Sequence, residues 1–168
     1  TPNTLIMNKL NITYKRGINT MDLTAEGYGV IQEKVTDVFV DGEFRMFISK
    51  DEVTKEYTAW EDNDSEMFSG GLTLRECKEN VERVLLKEAR EDNQDAYEDA
   101  ILERRYMRNL KDACTTPSER FEAQEAIDIA QSKLDTLQAE YVAILERLKP
   151  LMPSHAKSMA QIRLGSAQ

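Results

Sequence analysis

VTDVFVDGEFRMFIS, residues 35–49, decides how the rest of the chain is read. β-Branched and aromatic residues flank Asp41-Gly42 on both sides. Asp-Gly is a preferred pair for a two-residue type I′ turn, in which both positions need a positive φ. The stretch is therefore a β-hairpin, and its neighbours extend it. Upstream, Leu10, Ile12 and Tyr14 alternate onto one side of a strand. Lys15-Arg16-Gly17 predicts a turn, since glycine takes positive φ without strain, followed by a return strand over residues 18–24. Further strands are expected over residues 28–32 and 56–60. Residues 1–62 thus read as a meander of four to six short antiparallel strands, and such a sheet must lay one face against another layer.

After a polar, glycine-ended linker at residues 63–72, the apolar period changes from two to about 3.6 residues. Thr73-Leu74-Arg75-Glu76 is a capping box, in which a hydroxyl and a carboxylate each satisfy backbone donors at a helix start. Leu72 and Cys77 are placed to staple it. Leu74, Cys77, Val81, Val84 and Leu85 form an apolar stripe that resumes at Ile101, Leu102, Tyr106 and Leu110. Over residues 88–99 it nearly vanishes, which predicts either a solvated stretch or a bend near Asn93. Thr116-Pro117-Ser118-Glu119 starts a second helix, with proline at the position where its missing N–H costs nothing. In that helix Ile127, Leu134, Tyr141 and Leu148 recur every seven residues, and Ala123, Ala130, Leu137, Ile144 and Leu151 fill the companion position. The expected fold is α+β: a β-domain over 1–62, a linker over 63–72, and an antiparallel helical hairpin with coiled-coil character over 73–149. Its helices span 73–114 and 116–149, and a tail over 150–168 has a short amphipathic piece at Met159, Ile162 and Leu164. The seam Ile127, Ala130, Leu134, Leu137, Tyr141, Ile144 and Leu148 is expected to pair with a second copy, giving a homo-oligomer.

Composition narrows function by exclusion. No apolar run approaches the ~20 residues of a membrane span, and the start of the chain lacks a secretion signal, so no membrane association and a cytoplasmic location are expected. Cys77 and Cys114 are too few for a disulfide framework or a paired zinc site. The one histidine, His155, lies in the tail, away from any serine or cysteine nucleophile pattern. Gly70-Gly71 lacks the lysine and further glycines of a phosphate loop. No cofactor, resident metal or catalytic residue is expected.

Charge is the informative feature. Residues 1–49 carry a net charge of −1, residues 50–103 carry −10 and residues 104–168 carry +2, for a total of −9. All the excess negative charge sits in one third of the chain. Glu88, Glu91, Asp92, Asp95, Glu98, Asp99 and Glu103 accompany a single internal cation, Arg90, over about 24 Å of helix. Direct nucleic-acid binding is excluded on this basis, since affinity there rests on neutralising phosphates, and a protein partner with a basic surface is the natural complement. The leading expectation is a non-enzymatic macromolecule-binding protein, an inhibitor, adaptor or assembly component of the kind viruses and mobile elements encode.

Three narrower readings stand beside it. Glu88, Asp92, Asp95 and Asp99, at steps of four, three and four, form a ridge that could imitate a phosphate strand for a DNA-binding protein. Arg104, Arg105, Arg108 and Lys111 could hold a phosphate or nucleotide in a basic pocket between subunits. The carboxylate pairs Glu79 with Glu82, or Asp92 with Asp95, have the spacing for a divalent cation in a nucleotide hydrolase.

Overall fold

The structure, a computed structural model, describes residues 10–61 and 67–152. Five strands precede two helices: β1 (Ile12–Leu23), β2 (Gly29–Val40), β3 (Glu43–Lys50), β4 (Tyr57–Glu61), β5 (Met67–Gly71), α1 (Leu74–Ala113) and α2 (Pro117–Leu148). The strands pair antiparallel in sequence order, so the sheet is the expected meander and the α+β architecture holds. Asp41 and Gly42 both have positive φ, 53° and 86°, as the hairpin turn requires. Just past it Val38 pairs with Met46 while Phe39 pairs with Phe44, leaving Arg45 as an extra residue in β3. This bulge swings Arg45 to the side of the buried Met46, where it meets Glu61 of β4 and Glu88 of α1.

The turn expected at Lys15-Arg16-Gly17 does not form. β1 runs unbroken through Gly17, which lies opposite Val35. Glycine serves a different purpose here, because the Asp37 carboxylate occupies the place a Cβ would take. The chain reverses later, through a short 3-10 turn at Thr24–Glu26, and the strand expected at residues 28–32 is the first half of β2. The expected linker also differs: Met67–Gly71 is β5, and only the residues before it lie outside the description. Gly71 is needed there, since a Cβ would press on the Cys77 backbone at 2.6 Å. The tail helix around Met159 lies outside the described residues.

One face of the sheet is closed by the first turns of α1. Val38, Met46, Ile48 and Ala59 from the strands pack with Cys77, Val81 and Leu85. Removal from water pushes the Cys77 thiol up to about 11 and the Tyr14 hydroxyl, which donates to the Lys78 carbonyl, up to about 12. Leu72 is exposed, so the staple to Cys77 is absent; Cys77 is used by the core instead. The second helix start carries the expected reciprocal Thr116–Glu119 box, while at the first Thr73 accepts from Glu76 N and the Glu76 carboxylate accepts from Leu72 N, one residue before the cap.

α1 continues unbroken through Asn93 for 40 residues, about 60 Å. The vanished stripe is a row of small and polar residues facing α2: Ala89, Asn93, Ala96 and Ala100. Asn93 is buried and donates from Nδ2 to the Leu137 carbonyl. From the other side, Ile127, Ala130, Leu134 and Leu148 are buried and Leu137, Tyr141 and Ile144 are half-buried within the same chain. The heptad seam therefore joins α2 to α1 within the chain, and Leu137, Tyr141 and Ile144 keep part of their surface exposed. A heptad pattern reports that a helix has a partner, and here the partner is the preceding helix.

Candidate functional site

The acidic ridge stands on the side of α1 that neither the sheet nor α2 covers. Residues Glu88, Glu91, Asp92, Asp95, Glu98, Asp99 and Glu103 are all exposed. At the two ends the charge is answered from within the chain, Glu88 by Arg45 at 3.7 Å and Glu103 by Lys133 at 3.9 Å. Burial pushes the Glu88 carboxyl up, against the pull of Arg45 and with the push of Glu61, Asp92 and Glu91. Among the described residues, no cation lies within 4 Å of Glu91, Asp92, Asp95, Glu98 or Asp99. Five adjacent carboxylates are thus left to solvent, or to whatever approaches.

Beside the ridge, where the hairpin leaves the sheet, α1 and α2 separate around a cleft of about 440 Å³. Its walls include Leu10, Asp41, Asp92, Asn93, Glu140 and Arg147. The seam opens here because Ala89, Ala96 and Ala143 are too small to fill it. Arg147 is already engaged, pairing with Glu82 at 3.0 Å and donating to the Leu10 carbonyl. That leaves three carboxylates, Asp41, Asp92 and Glu140, over an apolar floor. Asn93 Nδ2 reaches Glu140 at 3.5 Å. Sequence reading found Asp92 and missed the others. Asn93 was detectable as a polar residue seven positions from both Leu86 and Ala100, whereas Asp41 and Glu140 arrive only through the tertiary fold.

The basic quartet does not converge. Arg104 donates to the Gln131 side chain and Lys111 to that of Gln124, so both serve the contact between helices, while Arg105 and Arg108 are exposed. Of the candidate cation pairs, Glu79 is bridged by Arg75 at 3.0 Å and Glu82 by Arg147. His155 lies outside the described residues. No protein family, curated protein or solved structure matches the chain, so the functional reading rests on this geometry.

Proposed function

We propose that the protein acts by binding a basic macromolecular partner on the outer face of α1, as an inhibitor, adaptor or assembly component. The observation that carries this is the uncompensated run Glu91, Asp92, Asp95, Glu98 and Asp99, exposed and, among the described residues, without a cation within 4 Å. Like charges three and four residues apart on a helix repel, and a helix needing only solubility intersperses both signs. The cleft beside Asp92 extends the same surface inward. Its apolar floor suits the aliphatic stem, and its carboxylates the head, of a lysine or arginine from the partner.

A DNA-binding protein is the partner class to which the ridge is best matched. Glu88, Asp92, Asp95 and Asp99 give a charge about every 5.5 Å along a straight rod, a density of the same order as a phosphate strand's.

The test is affinity capture from host lysate, then kinetics on the captured partner. Changing Asp92, Asp95 and Asp99 together to Asn is expected to slow association by about tenfold or more at low salt and to flatten its salt dependence. Duplex DNA should compete for the partner if ridge and phosphates share its binding face. Capture of the same partners by the triple variant, with unchanged and salt-insensitive rates, would remove the ridge from the mechanism.

A further inference from the structure

The sheet carries a second charged site, of opposite sign. β1 and β2 pair over their whole lengths, whereas β3 reaches only the Thr36–Val40 end of β2. At the fork where β3 stops, a cavity of about 520 Å³ is lined by Arg16, Ile18, Lys34, Ile48, Lys50 and Tyr57, among others. The register explains the gathering. Lys34 lies opposite Ile18, and Lys50 opposite Tyr57. Thr36 lies opposite Ile48 as the last pair of the two strands, and two residues beyond it Lys34 and Lys50 flank the mouth of the fork. Arg16, opposite Thr36, sits diagonally to Lys34. The period of two places all of them on the face of the buried Ile48, the face α1 covers further along.

Three cations from three adjacent strands thus share one cavity in a chain of net charge −9. No carboxylate lines it, and among the described residues none of the three has an ion-pair partner. The acids adjoining them in sequence are otherwise engaged. Asp51 accepts from the Val53 and Thr54 amides, each at 2.7 Å, and Glu52 faces Lys55 at 3.4 Å. Glu33, next to Lys34, alternates to the opposite face of β2. Three like charges gathered at one cavity repel one another, and an anion between them relieves that repulsion. Tyr57 holds the Lys50 ammonium 5.6 Å from its ring centroid, fixing one of the three.

We propose that this cavity binds a nucleoside di- or triphosphate, its phosphates held by Arg16, Lys34 and Lys50 and its base lying against the exposed side chain of Ile18. The volume is in the usual range for small-molecule sites. Three strands span about 10 Å, the scale of a short polyphosphate, and a guanidinium fork with two ammonium point charges is a suitable phosphate donor set. A long nucleic-acid strand fits less well. Beyond Lys34 the same face of the β1–β2 arm presents Thr20, Val30 and Gln32, with no further cation to follow a backbone.

Calorimetric titration of the full chain with ATP and with inorganic pyrophosphate, at low salt, tests this. Lys34→Gln and Lys50→Gln are each expected to weaken binding of both probes by about tenfold, since each removes one charge-assisted contact. Arg16→Lys should weaken it less, and Lys55→Gln should not alter it. Without ligand, Lys34→Gln should melt no lower than the unaltered protein, showing that the loss of binding is not a loss of fold. No binding heat from either probe at millimolar concentration, or equal affinity for Lys34→Gln and Lys55→Gln, would overturn the site. Tighter binding of a 20-nucleotide single strand than of ATP would overturn the assignment to a small ligand.

Discussion

α1 is two helices in one. Over residues 74–93 it is enclosed by the sheet on one side and α2 on another, and Cys77, Val81, Leu85, Leu86 and Asn93 are buried. Over residues 94–113 the sheet is gone, and Ala100 is the sole buried residue. The large apolar side chains Leu102, Tyr106 and Leu110 are exposed there. The same helical backbone is thus held by core packing at one end and by a narrow seam of alanines and glutamine hydrogen bonds at the other. The acidic ridge spans the join. What surrounds a helix, more than its own propensity, sets where its stability lies.

The largest effect that would break this comparison is a cavity in the enclosed half. Leu85→Ala removes a side chain that is 4% exposed and belongs to the same core cluster as Met46 and Ile48 of the sheet. It is expected to destabilise by about 3 kcal/mol. Leu102→Ala, about two turns into the protruding half and 62% exposed, should change stability by no more than about 0.5 kcal/mol. Urea denaturation of both variants measures the contrast. Equal losses would mean that the protruding half is covered by something beyond the described residues.

A smaller effect sharpens the join itself. Among the described residues Asn93 is the one buried polar side chain, and its amide bonds the Leu137 carbonyl and approaches Glu140. Asn93→Ala should cost about 1–2 kcal/mol, from the lost hydrogen bond and the added void beside an existing cleft. Asn93→Leu fills that volume with apolar surface and should come within about 1 kcal/mol of the unaltered protein, with a buried amide acting mainly to fix register. A larger loss in Asn93→Leu would show that the amide bonds, and not the volume, hold the helices together.

Legibility followed the same division. Features decided by neighbours in sequence were readable: the Asp41-Gly42 turn, both capping residues, and the helix start at Pro117. Features decided by register were not. Gly17 looked like a turn because glycine's need for space beside Asp37 arises only when β1 and β2 are aligned. The heptads of α2 were real, but periodicity carries no information on whether the partner lies in the same chain. Arg104 and Lys111, neighbours along one helix, turned out to face glutamines, while Arg16, Lys34 and Lys50, far apart in sequence, came together across three strands. For the ridge, the composition was legible and the absence of internal counter-ions was not.

The smallest predicted effect bears most directly on what the ridge is for. Asp95 has like-charged neighbours at Glu91, Asp92, Glu98 and Asp99, all within one helical turn and all exposed. Each like pair three or four residues apart costs roughly 0.2–0.5 kcal/mol, and among the described residues no cation offsets the central ones. Asp and Asn have similar helix propensities, so replacing Asp92, Asp95 and Asp99 by Asn should leave the backbone preference unchanged and relieve repulsion. The triple variant is therefore expected to be more stable than the unaltered protein at low salt, by about 1 kcal/mol, the lower end of what the removed like pairs sum to. The gain should disappear as salt approaches 1 M, where screening acts over about 3 Å. Thermal melts at 20 mM and 1 M salt measure both arms. A stability that falls in the triple variant would instead place these carboxylates in structural contacts. A rise at low salt that vanishes at high salt leaves a surface that weakens the free protein, which is the behaviour expected of a charge cluster whose stabilising contacts are made with a partner.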